Sequence, residues 1–210
     1  MKNQLKMLLL STTLAVSLSA PALGAGMLDQ PRTGQTRCYD AAGKEVTCTG
    51  SGQDGAIRAG APIPTPRFQD NRNGTVTDKL TGLIWLKDAN CAAVSSKVWT
   101  DALTAASNLA NGTCGLSDGS KAKDWHLPNK NELLSLIDIT NMNPALPSGH
   151  PFVNVQNTWY WTSTSSAYSP TDRAWLVHVG SGAADFNGGF SGYFNYKSGS
   201  GYVWPVRAGQ

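Results

Sequence analysis

Asp124-Trp125-His126-Leu127-Pro128-Asn129-Lys130-Asn131-Glu132-Leu133 is the stretch from which the fold is read. Asn129 is a good helix N-cap: its side-chain oxygen can accept N–H groups that the first turn leaves unpaired. Glu132, three positions on, can reach back to the Asn129 N–H and complete a capping box. Leu133, Leu136 and Ile137 then fall on one helical face. A helix therefore starts at Lys130, and its spacing assigns Glu132 to capping ahead of catalysis.

Upstream, Trp99, Ala102, Leu103, Ala106, Leu109 and Ala110 recur at helical spacing, with Asn111-Gly112 as the expected stop. Before that helix the pattern is β. Asn73-Gly74 predicts a two-residue hairpin turn, because both residues accept positive φ. Thr75–Asp78 leaves the turn as a strand, and Leu83-Ile84-Trp85-Leu86 forms the next. Downstream, Trp159–Ser163 and Ala174–Val179 are strand candidates. Alternation in the second puts Trp175, Val177 and Val179 on one face, opposite His178. Val203–Arg207 is a closing strand, with Pro205 marking an edge or bulge. Trp85, Trp125, Trp161 and Trp175 are expected in the core.

The chain opens with Lys2 and Lys6, an uncharged apolar run of about 12 residues from Met7, and the small-residue exit Ala20-Pro21-Ala22-Leu23-Gly24-Ala25. The order is that of a secretory signal peptide over residues 1–25. Its apolar run is far short of the roughly 20 residues that span a bilayer. Of 17 Lys and Arg, two lie in this segment and no acid does, leaving 15 basic against 14 acidic groups afterwards. Such a balance carries no nucleic-acid footprint. Residues 26–66 form a Gly-, Thr- and Pro-rich segment ending in the spaced prolines of Ala61–Pro66, and residues 67–210 form the main domain. An even set of four cysteines in an exported chain reads as two disulfides. Of the three connectivities, Cys38–Cys48 with Cys91–Cys114 is favoured, because each pair brackets one local element. Each closure is worth about 3 kcal/mol. Zinc ligation is disfavoured by the absence of a Cys-x-x-Cys pair and of His beside the cysteines.

No Gly-x-Ser-x-Gly elbow, His-Glu-x-x-His helix or phosphate loop occurs. His126, His150 and His178 are scattered. Gln69–Gly74 superficially suggests a calcium loop, but its twelfth position falls on Leu80 rather than Glu, so the hairpin reading wins. A calcium site shared by Asp70, Asp78 and Asp88 is left without sequence support, and no cofactor is expected. The Asn-x-Thr sequons at Asn73 and Asn111 are accounted for as turns.

Taken in order, Phe68–Asn71, Asn73–Asp78, Thr81–Trp85, the Asp124–Leu133 stretch, Tyr160–Thr164 and Val203–Arg207 resemble the C-terminal domain family of the Legionella collagen-like adhesin. Within its most recognisable motif, usually Trp-Arg-Leu-Pro-Thr, the matching residues here are Trp125, Leu127, Pro128 and Asn129, with Glu132 following. His126 stands in place of Arg and removes a permanent charge; Asn129 in place of Thr keeps the cap. The Cys38–Cys48 segment resembles an accessory element found ahead of such domains. The resemblance implies an α+β, C-type-lectin-like fold: a twisted antiparallel sheet with two helices and long Gly-rich loops. It implies no collagen stalk, since the collagen-like repeat is absent. The motifs also resemble those of formylglycine-generating enzymes, but those need a reactive cysteine late in the domain, and here every cysteine precedes residue 115.

The function expected is therefore that of an exported, non-enzymatic binding module for glycans or a surface protein, adhesin-like in character, with no nucleic-acid partner and no stable membrane insertion. Sulfated glycosaminoglycans, associated with the adhesin, gain only modest support from a near-neutral chain. Sugar rings stack on exposed aromatics while Asp and Asn bond their hydroxyls. This places the ligand site on Asp185, Asn187, Phe190, Tyr193, Phe194 and Tyr196. An enzyme using Asp70, Glu132 or Asp185 on glycans, and a structural envelope partner, are the competing classes. Mass spectrometry of the exported protein is expected to find its first residue between 23 and 26; retention of Lys2 and Lys6 would exclude a cleaved signal.

Overall fold

The computed structural model describes residues 30–185 and 196–209. Residues 1–29, which include the segment read as a signal peptide, residues 186–195 and residue 210 lie outside them.

Two short strands, β1 (Cys38–Tyr39) and β2 (Glu45–Val46), pair antiparallel around a turn at Gly43, whose φ is +79°. Asp40 holds the turn by accepting the N–H groups of Ala42 and Lys44 through its side chain. The Cys38–Cys48 disulfide closes this clasp, and a single helical turn, α1 (Asp54–Ile57), packs behind Cys38. The prolines of residues 61–66 then lead into the main domain.

The main domain opens with β3 (Phe68–Asp70), β4 (Thr75–Asp78) and β5 (Ile84–Leu86). With β11 (Val206–Arg207) at the far end they make a four-stranded antiparallel sheet in the order β11-β5-β4-β3. The β3–β4 turn is wider than the two-residue hairpin that Asn73-Gly74 suggests. Asn71 N–H donates to Thr75 O, and both Arg72 and Gly74 have positive φ. The cause is tertiary: Gly74 is pressed so closely on Gly115 that an added Cβ would lie 2.5 Å from its carbonyl oxygen.

After a 3-10 turn (Ala92–Val94) come β6 (Lys97–Val98) and α2 (Trp99–Asn108). The helix stops three residues short of Asn111-Gly112, because Leu109 leaves the helix in extended geometry and turns inward, 2 % exposed. The Cys91–Cys114 disulfide joins the chain before α2 to the chain after it. α3 (Lys130–Ser135) begins where the capping box puts it: Asn129 Oδ1 accepts from Asn131 N and Glu132 N, and Glu132 Oε2 accepts from Asn129 N at 2.7 Å.

A second antiparallel sheet, in the order β7-β8-β9, comprises β7 (Trp159–Ser165), β8 (Ala174–His178) and β9 (Ala183–Asp185). Finally β10 (Ser200–Gly201) pairs with β6. The closing strand is shorter than Val203–Arg207, since Pro205 has no N–H to give; its carbonyl accepts from Leu86 N instead. The described architecture is thus mixed α and β, with small antiparallel sheets and few helices. Among the described residues no helix is long and apolar enough to cross a membrane.

Trp85, Trp125, Trp161, Trp204 and Tyr160 are fully buried at the centre of the core. Phe152 bridges Phe68 and Trp204 in edge-to-face contacts at 5.0 and 4.9 Å. Trp175 departs from expectation. It is only half-buried, because alternation fixes which face it shares but not what covers that face.

Arg67 and Asp78 form a buried ion pair, 5 % and 0 % exposed at their side chains. Arg67 Nε donates to Oδ1 at 3.0 Å and Nη2 to Oδ2 at 2.7 Å, and Nη2 also donates to the Ser135 carbonyl at the end of α3. Removing one partner strands a buried charge, at a cost of about 3–5 kcal/mol. Arg67→Ala is therefore expected to lower the midpoint of denaturant unfolding sharply, while Arg72→Ala, on the exposed turn, leaves it nearly unchanged. Equal midpoints for the two variants would contradict this account.

Candidate functional site

The described surface richest in paired cations and aromatics surrounds the β7–β8 hairpin end and the segment from Tyr196 to Gly201. Ser166 N donates to Arg173 O and Arg173 N to Ser169 O, which folds the hairpin tip and leaves Tyr168 80 % exposed. The chain returns at Tyr196, which forms an isolated antiparallel bridge with Arg173. The Arg173 guanidinium lies 4.8 Å from the Tyr196 ring centre and 5.9 Å from that of Tyr168, and Nη2 donates to the Tyr196 hydroxyl at 3.2 Å.

Lys197 is held next to this pair. Its N–H donates to Asp172 O, its ammonium donates to Pro170 O at 2.7 Å, and the same ammonium lies 4.1 Å from the Trp99 ring centre. Trp99 is fixed in turn, since its indole N–H donates to Thr162 O in β7. A third pair stands at the start of α3. Lys130 Nζ lies 3.9 Å from the Trp175 ring centre, and Lys130 N donates to Thr164 Oγ1. Asn129, Asn131 and Thr164 line a depression of about 380 Å³ with this pair. Arg173 and Trp175 are two residues apart in extended chain and so share a face. A cation over an aromatic ring is worth about 0.5–1 kcal/mol at an exposed site, a bias to which the hydrogen bonds of Arg173 and Lys197 add. The arrangement offers positive charge beside flat apolar rings, with amides and hydroxyls within reach.

Of the sequence-derived ligand residues, Tyr196 falls on this surface. Asp185 ends β9, where its backbone pairs with Leu176. Asn187, Phe190, Tyr193 and Phe194 lie outside the described residues. Arg173, Lys197, Lys130 and Trp99 were not singled out as ligand residues. Their partners are distant in sequence, and a lysine in a turn carries no mark of the ring it will cover.

The other motif residues have structural roles. Trp125 and Leu127 are buried, and the Arg207 guanidinium lies 5.3 Å from the Trp125 ring centre while donating to the buried Asp118. His126 stands 3.2 Å from Glu132. His150 stacks on Phe152, and His178 packs against Trp159 and accepts from Ser181 N at 3.1 Å. Burial lowers the pKa of both His150 and His178. Asp70, Asp78 and Asp88 do not assemble: Asp70 pairs with Lys87 at 2.8 Å and Asp78 with Arg67. Among the described residues no three His, Cys, Asp or Glu side chains gather as a metal site.

The chain belongs to the Lcl C-terminal domain family, whose model matches residues 74–207. Comparison with curated proteins found no match.

Glu132 connects the cap to pH. Partial burial raises its pKa, but the hydrogen bond from His126 and the N–H of Asn129 together outweigh burial, and the net shift is downward. A carboxyl whose folded pKa is depressed stabilises the fold above its unfolded pKa, and that contribution disappears as pH falls through the folded value. Glu132→Gln retains a capping side chain but no charge. Thermal melts between about pH 6 and about pH 3 are expected to show a shallower acid loss for Glu132→Gln than for the parent chain. Parallel curves would refute the coupling.

Proposed function

We propose that the protein is an exported, non-enzymatic binding module of C-type-lectin-like fold, and that it recognises glycans through the face built by Trp99, Lys130, Arg173, Trp175, Tyr196 and Lys197. The observation that carries the reading is three pairings of a cation with an aromatic ring, Lys130–Trp175, Arg173–Tyr196 and Lys197–Trp99, each with one member in the β7–β8 hairpin or the segment that returns beside it. Rings accept the apolar C–H faces of sugars, and the cations engage acidic substituents. Family membership supports an adhesin-like role. Two disulfides support an extracytoplasmic setting, where such bonds persist. The arrangement of two of the three candidate catalytic carboxylates, Glu132 and Asp70, also supports binding over turnover. Glu132 is committed to the helix cap, and Lys87 lowers the pKa of Asp70 by hydrogen bonding to it, with the Arg72 N–H adding to the effect. Neither is placed as a proton donor near neutral pH.

A glycan array on the disulfide-intact protein, followed by titration of the best ligand, tests the reading. Arg173→Ala and Tyr196→Ala are each expected to weaken binding roughly five- to tenfold, equivalent to about 1 kcal/mol per lost contact. Added salt is expected to weaken an acidic ligand further. An array with no bound glycan, together with a protein partner that copurifies stably, would favour the structural envelope role instead.

A further inference from the structure

A second polar cleft lies far from this face in the chain, along the seam between the disulfide clasp and the loop after α3. We infer that it is a binding site for a neutral, hydroxyl-rich oligosaccharide. Its volume is about 420 Å³, with Gln35, Arg37 and Tyr39 on one wall and Ile139, Thr140 and Asn141 on the other. That is within the range of small-ligand sites, which favour the junctions between structural units. Two further cavities lie nearby: one of about 290 Å³ shares Gln35 with it, and one of about 220 Å³ shares Ile139.

Both walls are fixed before any ligand arrives. Asp138 Oδ1 accepts the N–H and hydroxyl of Thr140, and Oδ2 accepts the Asn141 amide at 2.9 Å. The strap carrying Gln35 rests on the same residue: a Cβ added to Gly34, whose φ is +87°, would lie 3.1 Å from Asp138 Oδ1. Across the cleft, Tyr39 sits on the clasp beside the Cys38–Cys48 bond. Its backbone N–H donates to Gln53 Oε1, and its carbonyl accepts from Gln53 Nε2 at 2.8 Å. A preorganised site loses less entropy on binding.

The lining selects the ligand class. It contains no carboxylate, and its one cation, Arg37, is exposed and only 3.9 Å from the likewise exposed Glu45. Neutral amides, hydroxyls and apolar surface therefore make up most of the lining, with Arg37 as its single cation. An extended peptide seeking to add a strand to β1 meets the Gln53 amide already on the Tyr39 backbone. What remains is the Tyr39 ring and the Ile139 side chain, 39 % and 59 % exposed as residues, flanked by amides and hydroxyls. Those are the groups that take the C–H face and the hydroxyls of an uncharged sugar. Gln35, Arg37 and Tyr39 all precede the family match, so this wall is an addition to the shared domain. The inference does not rest on the cation–aromatic face.

The test is a ¹⁵N NMR titration of the disulfide-intact mature protein with cello-, malto- and chito-oligosaccharides. At least one series is expected to move the amides of residues 34–39 and 139–141 at millimolar concentration. Tyr39→Ala and Asn141→Ala are each expected to weaken that binding at least about tenfold, with Tyr39→Phe retaining most of it. Tyr196→Ala is expected to leave it unchanged, which separates this site from the other face. Asn141→Ala carries the test if Tyr39→Ala disturbs the clasp, and unshifted core amides report an intact fold. No movement of these amides by any of the three series up to about 10 mM would overturn the site. So would binding that Asn141→Ala leaves at full strength, or a response only to an extended peptide.

Discussion

The Arg67–Asp78 pair is the contact on which the arrangement of the main domain turns. Burying two charges is costly, and the cost is offset only when each lone pair and proton finds a partner. Asp78 meets that condition. Oδ1 accepts from Arg67 Nε and Leu80 N, and Oδ2 accepts from Arg67 Nη2 and the Thr81 hydroxyl. An ionised carboxylate has about four acceptor positions, and all are used. Arg67 Nη2 also reaches the Ser135 carbonyl, so one guanidinium joins the first strands to the last turn of α3. At the other end of α3, Ser163 N donates to Pro128 O and Thr164 accepts from Lys130 N. The helix is thus a strut between the two sheets, and the Lys130–Trp175 pair owes its position to that strut.

Sheets built from two- to seven-residue strands are weak alone. Side chains do the joining here, and three of the tryptophans do it with both ring and N–H. Trp204 donates its indole N–H to Leu86 O, Trp161 to Lys97 O and Trp99 to Thr162 O, at 2.8 to 2.9 Å. Each ring buries apolar area while its N–H satisfies a strand carbonyl: at the end of β5 for Leu86, at the start of β6 for Lys97, and within the irregular stretch of β7 for Thr162. Tyr160 works similarly. Its hydroxyl bonds Ala89 O and accepts from Gln156 N, and burial drives its pKa up, so it stays a neutral phenol. The result is one core spanning several small sheets rather than one large sheet with a covered face.

What was legible in the sequence follows the range of the interactions. The capping box lies within four residues, and the clasp turn within five, so local chemistry determines both. The buried tryptophans were readable because few places other than a core accept so much apolar area; three of the four expected there are fully buried. The misjudged features are those decided at a distance. The width of the 71–74 turn depends on Gly115, and the end of α2 on burial of Leu109. Trp175 reads as core until Lys130, 45 positions earlier, is seen to be its partner. Arg173–Tyr196 and Lys197–Trp99 are similar: each residue is unremarkable alone, and the pairing exists only in the fold. Glu132 was correctly read as a cap, but its hydrogen bond to His126 depends on how the Trp125–Leu127 segment is held. His126 exchanges backbone hydrogen bonds with Val206 on the closing strand.

The cation–aromatic face is built entirely from residues 99 to 197, inside the stretch matched by the family. It is tied to the core through Thr162, Thr164 and the hairpin tip, so its geometry draws on the rigidity of the whole domain. The seam cleft is held differently. Its outer wall stands on the clasp, which lacks a large core and depends on the Cys38–Cys48 bond, the Asp40 turn and the Gln53 bridge. Small elements with few buried apolar side chains open at lower free energy than the domain to which they are attached. Loss of the Cys38–Cys48 bond alone should therefore loosen the Tyr39 wall, while the Arg173–Tyr196 face, held by the domain core, keeps its geometry.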